Sequence, residues 1–98
     1  MIRHIFMATV KEGISSKIVN RKMAEMRAMK DSVPEIRAIT VAKNLGLAGL
    51  GNVVTMMVDV ADKEGFDALL ASPAHCEIAE KAGEAFCTDS FVMGQIEL

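Results

Sequence analysis

The strongest constraint on the fold is that two predicted strands carry apolar residues on both of their faces. Along Ile2 to Val10 and along Val53 to Ala61, successive side chains point to opposite sides of a sheet. The first strand divides into Ile2, His4, Phe6 and Ala8 on one side and Arg3, Ile5, Met7 and Thr9 on the other. An antiparallel sheet with one solvated face would show a polar side instead. Helices cover only one face in this arrangement, so we expect a homodimer in which a second copy covers the other.

The order of the predicted elements defines the fold class. These elements are a strand over 2–10, a helix from Ser15 or Ser16 to about Asp31, strands over 36–42 and 53–61, a short helix capped by Asp62, a helix from Pro73 to about Phe86, and a strand over 89–98. The order βαββαβ favours an α+β, ferredoxin-like fold, with a four-stranded antiparallel sheet and helices on one face. We expect a single domain over residues 1–98.

The composition argues against nucleic acid and membranes as partners. The net charge is −2 with both signs interspersed, which gives no electrostatic footprint for nucleic acid or an anionic membrane. No segment approaches the ~18 apolar residues of a membrane span, and Arg3 and His4 interrupt the first apolar run, unlike a signal peptide. We therefore expect a cytoplasmic protein with Cys76 and Cys87 reduced. Hydrophobic residues make up 51% of the chain, which also favours a partner surface.

The chain has only two histidines, and His75 is the stronger candidate for chemistry. It opens the last predicted helix, and its spacing from Ile78 and Ala82 places it on the apolar stripe. An imidazole that faces the interior at this position is suited to proton transfer or to ligand binding. In the alternative, the ring hydrogen-bonds a backbone carbonyl or caps the turn that begins at Ser72.

His4 shares its strand face with Phe6. If this face meets the helices, His4 and His75 line one cavity, with Thr55 nearby on the sheet. The alternative is a half-exposed histidine at the start of a strand. A cavity of roughly 300 Å³ or more would favour binding or catalysis, whereas a filled interior would favour a scaffold.

Other motifs are weaker. Gly46, Gly49 and Gly51 lie in a loop between two strands, whereas a phosphate loop leads from a strand into a helix, so we expect no nucleotide site. Asn44 begins this loop, which is a flexible connection or, secondarily, a lid. The methionines follow apolar stripes typical of a core, without His or Cys at ligand spacing, so we expect no metal and no cofactor. Charged pairs such as Arg21-Lys22 are interpreted as solvated surface.

Four short motifs, in order, carry a resemblance to a known family. They are Ile2-Arg3-His4-Ile5-Phe6, Val33-Pro34-Glu35-Ile36, Lys43-Asn44-Leu45 and Ser72-Pro73-Ala74-His75. Together they resemble the stress-responsive A/B barrel (Dabb) domains over essentially the whole chain. The resemblance implies a dimeric α+β barrel, formed when two copies associate sheet to sheet.

The resemblance also implies candidate site residues. Polyketide cyclases of this kind use interior histidines with a tyrosine in a pocket between sheet and helices, and His4 and His75 match two of those histidines. The cyclase tyrosine falls near Leu69 and a further histidine falls at Thr55, but this chain contains no tyrosine. These departures count against the cyclase reaction itself.

Three functional hypotheses follow. The first is a dimeric protein that binds a small hydrophobic molecule without turnover, or serves mainly as a scaffold. The residues expected to contact the ligand are Thr55, Phe6, Leu69, Asn44 and Ile78. The second is a cofactor-independent lyase, cyclase or isomerase, with His75 as general base and His4 polarising a carbonyl oxygen. The third is a monooxygenase of the related antibiotic-biosynthesis type.

Overall fold

The protein folds around one four-stranded antiparallel sheet, seen in a computed structural model that describes residues 1–98. The elements are β1 (Ile2–Thr9), α1 (Ser16–Ser32), β2 (Ile36–Lys43), β3 (Val53–Val60), α2 (Lys63–Ala71), α3 (Pro73–Glu80) and β4 (Val92–Glu97), with a 3₁₀ turn at Ala82–Glu84 between α3 and β4. The strand order is β2-β3-β1-β4, and every neighbouring pair is antiparallel. This arrangement confirms the predicted ferredoxin-like fold.

Each helix begins at a capping side chain, and the sequence predicted Asp62 for α2 and Ser15 or Ser16 for α1. The Ser15 hydroxyl accepts a hydrogen bond from the backbone of Ile18, and the Asp62 carboxylate accepts one from Gly65. Ser72 caps α3, which has Pro73 in its first turn. These oxygens satisfy N–H groups that have no partner within the helix.

The end of the last helix differs from the prediction. Helix α3 stops at Glu80 rather than near Phe86, and a 3₁₀ turn follows. Beyond that turn, the Lys11 N–H donates to the Ala85 carbonyl oxygen at 2.8 Å. Because this bond joins the chain to the segment after β1, a non-local contact outweighs the local preference for helix. The following loop also delays β4, which begins at Val92 rather than Asp89.

The hydrophobic core lies between the sheet and the helices. Helix α1 contributes an apolar stripe of four buried residues, Val19, Met23, Met26 and Met29. The sheet contributes inward residues of its two central strands, among them Ala8, Val54, Met56, Val58 and Val60. Phe86 and Leu69 are among the largest side chains that are fully buried.

The other face of the sheet carries apolar residues that no helix covers. Ile5 pairs with Met57 across β1 and β3, and the exposed Val92 and Ile96 lie beside them on β4. All six residues of β4 are exposed in the single chain. The strands are therefore apolar on two sides, as their sequences indicate. In addition, no helix is both long enough and apolar enough to cross a membrane.

Candidate functional site

A cavity of about 360 Å³ lies between the sheet and the helices. Eleven of its 14 lining residues are hydrophobic. The lining consists of His4, Phe6, Lys22, Met26, Met29, Met56, Leu70, His75, Ile78, Ala79, Ala82, Phe86, Phe91 and Met93. A largely apolar wall with a few polar groups is typical of a small-molecule site. A larger cleft around Glu35 and Arg37, of about 460 Å³, has only two hydrophobic residues among eight and no histidine.

His4 lies inside this cavity because β1 is a central strand. The residue is only 3% exposed, so it is not the half-exposed histidine of the alternative interpretation. Its ring packs edge-on against Phe66, with centroids 5.2 Å apart. The side-chain nitrogen of Gln95 lies 3.0 Å from Nδ1. In this orientation the amide donates and Nδ1 accepts, so a neutral His4 carries its proton on Nε2.

His75 reaches the same cavity from the first turn of α3. Its backbone N–H donates to the Ser72 hydroxyl at 3.2 Å, and that hydroxyl donates to the Leu69 carbonyl at 2.7 Å. These two bonds join the end of α2 to the start of α3 and so orient the helix that carries the ring. His75 therefore combines a cavity position with a backbone hydrogen bond that orders the start of its helix.

Both imidazoles favour their neutral forms. Burial lowers the pKa of His4, the nearby charge of a protonated His75 lowers it further, and a hydrogen bond with the Gly94 carbonyl opposes the shift. Burial likewise lowers the pKa of His75, against the opposing effect of the Leu70 carbonyl. Near neutral pH the cavity thus holds two uncharged imidazoles, the form in which a ring nitrogen accepts a proton.

Lys22 also lines the cavity, although its charge predicts a position on the surface. It was expected on a solvated face, yet its side chain is only 6% exposed. Its ammonium group pairs with Glu84 on the 3₁₀ turn and lies 3.7 Å from the carboxylate of Glu25. The side chain lies inward because Lys22 is three residues after Val19 and four before Met26, on the buried stripe of α1. The helical spacing of Lys22 predicts a buried position, but its charge led to the prediction of a solvent-exposed one.

The remaining predicted site residues divide into two groups. Phe6 and Ile78 line the cavity with the two histidines. Leu69 does not line it, because it packs into the core one position before Leu70, which does. The resemblance places a cyclase tyrosine near Leu69. On α2 the residue that faces the cavity is therefore one position later than expected.

Thr55 and Asn44 lie away from the cavity, and their predicted positions are wrong. Thr55 pairs with Met7, so its side chain points to the sheet face opposite His4. Its hydroxyl donates to the side-chain oxygen of Asn44, whose amide in turn donates to the Leu50 carbonyl at 3.2 Å. Both residues therefore organise the loop between β2 and β3.

Further lining residues were not singled out from the sequence as contributors to a site. They are Met26, Met29, Met56, Leu70, Ala79, Ala82, Phe86, Phe91 and Met93. The methionines were interpreted only as core, since the same apolar stripe supplies both core and cavity wall. Phe91 lies outside regular structure and packs against Phe6, with centroids 5.1 Å apart. No local pattern indicates that contact.

The fold places the chain among ferredoxin-like α+β proteins. Residues 2–94 match the model of the Stress responsive A/B Barrel Domain. The chain therefore belongs to the stress-responsive A/B barrel family, as the four motifs indicated. A search of curated proteins finds no match.

Solved structures share this fold closely. A crystal structure of a protein from Arabidopsis thaliana has a TM-score of 0.86 at 18% identity, covering 100% of this chain and 95% of that chain. A dimeric ferredoxin-like protein of unknown function from Thermobifida fusca has a TM-score of 0.85 at 21% identity, with 99% and 90% covered. The hydroxynitrile lyase of Passiflora edulis has a TM-score of 0.85 at 19% identity, with 99% and 92% covered. At such identities the likeness shows the fold.

Proposed function

We propose that this protein binds a small hydrophobic molecule in the cavity between the sheet and the helices. The observation that carries the proposal is the cavity itself, about 360 Å³ with eleven hydrophobic lining residues. Its volume exceeds the roughly 300 Å³ at which small-molecule sites begin. A scaffold alone needs no such space, because protein interiors are close-packed.

Binding of a neutral fluorescent probe, N-phenyl-1-naphthylamine, tests this proposal. Ala79 lines the cavity, so Ala79→Leu fills part of it and should weaken binding about tenfold. Ala24→Leu is the matched control, since Ala24 is an exposed alanine on α1 outside the cavity lining. Saturable binding that Ala79→Leu weakens and Ala24→Leu does not supports the proposal. Equal effects of the two variants, or no binding, would contradict it.

We also propose that the protein is a homodimer whose two sheets pack face to face. The uncovered face presents Met57, Val92 and Ile96, which are 36%, 58% and 49% exposed in the single chain. Contiguous apolar surface of this kind typically marks an interaction site. The similar protein from Thermobifida fusca is described as dimeric.

Sedimentation equilibrium of a charged variant tests the dimer. Met57→Glu places a carboxylate on the uncovered face and should shift the protein toward monomer. Ala24→Glu adds the same charge on the exposed surface of α1 and should leave the dimer intact. A wild type that is monomeric at micromolar concentration would overturn the proposal.

A second candidate function is a cofactor-independent lyase or isomerase that uses the two imidazoles. The specific observation in its favour is that His4 and His75 line one cavity and both favour the neutral form. A neutral His75 would take the hydroxyl proton of a hydroxynitrile as the bond to the nitrile carbon breaks, and the departing cyanide would then take up that proton. His4 would donate a hydrogen bond to the oxygen that becomes the aldehyde carbonyl. One protein of similar fold is a hydroxynitrile lyase.

Aldehyde release from an aromatic hydroxynitrile tests this second candidate. The wild type should accelerate cleavage into aldehyde and cyanide, and His75→Ala should abolish the acceleration. Cys76→Ala is the control, because Cys76 adjoins His75 in sequence but is exposed and outside the lining. Release at the uncatalysed rate would count against lyase activity toward this class while leaving the binding proposal intact.

A further inference from the structure

Lys22 brings a basic side chain to the cavity lining, which binding of a purely hydrophobic molecule does not explain. The three lining residues that are not hydrophobic are His4, His75 and Lys22. Of these three residues, Lys22 is the one with an aliphatic ammonium side chain, and its Nζ is hydrogen-bonded to Glu84. Its aliphatic stem lies along the apolar stripe of α1 beside Met26.

The anions that pair with Lys22 lie outside the cavity lining. Glu84 accepts its hydrogen bond, and Glu25 is 3.7 Å away, yet their side chains are 54% and 46% exposed. The hydrogen bond and charge of Lys22 lower the pKa of Glu84, while solvent screens both partly exposed carboxylates. An ammonium group has three donors, and the hydrogen bond to Glu84 uses one of them.

The polar residues of the cavity therefore come from different elements. Lys22 projects from α1, and the histidines project from β1 and α3. Apolar side chains such as Met29, Ile78 and Phe86 form the wall around them. A ligand that is complementary to this lining has an apolar body and one acidic oxygen group.

We propose that the cavity takes a small organic anion, a carboxylic acid with an apolar body, whose carboxylate binds the ammonium group of Lys22. This inference rests on the proposed binding function and names its ligand class. The carboxylate accepts a charge-assisted hydrogen bond at Lys22, and the apolar body contacts the methionine and phenylalanine side chains. Within a largely apolar wall, such a bond is stronger than the same bond in water.

Isothermal titration calorimetry with two matched ligands tests the inference. 4-Phenylbutyrate and 4-phenylbutanol share an apolar body and differ in the carboxylate. At about pH 8 both histidines are neutral, so a charged imidazole cannot account for selection of the acid. The wild type should bind the acid about tenfold more tightly than the alcohol.

Three variants assign the selectivity to Lys22. Lys22→Met keeps an unbranched side chain without charge and should weaken binding of the acid more than binding of the alcohol. Lys22→Arg should retain the preference, because the charge remains. Lys30→Met is the matched control, an exposed lysine on the same helix, and should change neither affinity. Circular dichroism of each variant reports whether it is folded.

The outcomes separate this inference from the proposed function. If the wild type binds acid and alcohol equally, the anion inference is overturned while the hydrophobic cavity stands. If Lys22→Met weakens both ligands equally, Lys22 only shapes the cavity, and the inference is again overturned. If the wild type binds neither these ligands nor the naphthylamine probe, the proposed binding function fails and the inference fails with it.

Discussion

The amide nitrogen of Gln95 lies 3.0 Å from Nδ1 of His4, joining a strand at the edge of the sheet to a buried ring at its centre. The two residues are also direct neighbours in the pairing of β1 with β4. With the amide as donor, this contact favours the neutral form of His4 in which Nδ1 accepts. Nε2 then carries the proton, and the Gly94 carbonyl is a competing acceptor for the ring N–H.

The first prediction concerns this tautomer. Two-dimensional ¹H–¹⁵N spectra of the ring should show His4 protonated on Nε2 at about pH 8. Gln95→Leu leaves Nδ1 without its donor, so it should lower the free energy of unfolding by about 1–2 kcal/mol and mix the two tautomers. Gln95→Glu should raise the pKa of His4, because a carboxylate favours the charged ring. A ring protonated on Nδ1 in the wild type would contradict the assignment.

The second prediction is a pH dependence of stability set by the two histidines. Their pKa values in the folded state are lowered from 6.5. As the pH falls below about 6.5, the unfolded chain takes up protons first, so the free energy of unfolding should fall with pH. Urea unfolding between about pH 5 and 8 measures this slope. Replacing both histidines by glutamine should flatten it, and an unchanged slope would assign the effect to other groups.

The third prediction concerns the His75 ring directly. Because His75 lies in a largely apolar cavity wall, His75→Leu should raise the free energy of unfolding by about 0.5–1 kcal/mol. A histidine retained at such a position favours a functional role, since functional sites often reduce stability. Denaturant unfolding at matched protein concentration measures the change, because the stability of the proposed dimer would depend on concentration. A loss above about 2 kcal/mol would instead make His75 a structural residue.

The fourth prediction concerns the junction between α2 and α3. Ser72→Ala removes both the cap of α3 and the bond to the Leu69 carbonyl, so it should cost about 1 kcal/mol of stability. It should also shift the ring resonances of His75, whose helix begins at this cap. Ser90→Ala is the control, because its exposed hydroxyl makes only a 3.4 Å contact. Equal losses in thermal unfolding of the two variants would argue against a special role for Ser72.

The fifth prediction concerns an ion pair on the uncovered face. Arg3 donates two hydrogen bonds to Asp59, at 2.8 and 3.0 Å, and this pairing lowers the pKa of Asp59 from 3.8. The stabilisation is present above the unfolded pKa and is lost as the pH falls toward the folded one. Asp59→Asn should therefore be less stable than wild type above about pH 5, and the difference should shrink below about pH 4. A difference that is constant across this range in urea titrations would exclude the ionised pair as its source.

Much of the fold follows from local patterns in the sequence. Alternation with period two defines the strands, and capping residues such as Ser15 and Asp62 define where helices begin. The paired Ser72-Pro73 step likewise predicts the start of α3. These features depend on residues a few positions apart, so the sequence alone determines them.

Tertiary structure decided which residues share the cavity. The register of β1 against β3 turns Thr55 away from His4, and α1 packs so that Lys22 faces inward. Likewise, α3 stops at Glu80 because the following segment hydrogen-bonds near the end of β1. Strand register and helix orientation depend on contacts between residues far apart in the chain, and no local propensity encodes them. The sequence thus determined the elements and the two histidines, whereas packing alone brought Lys22 and Gln95 to the site.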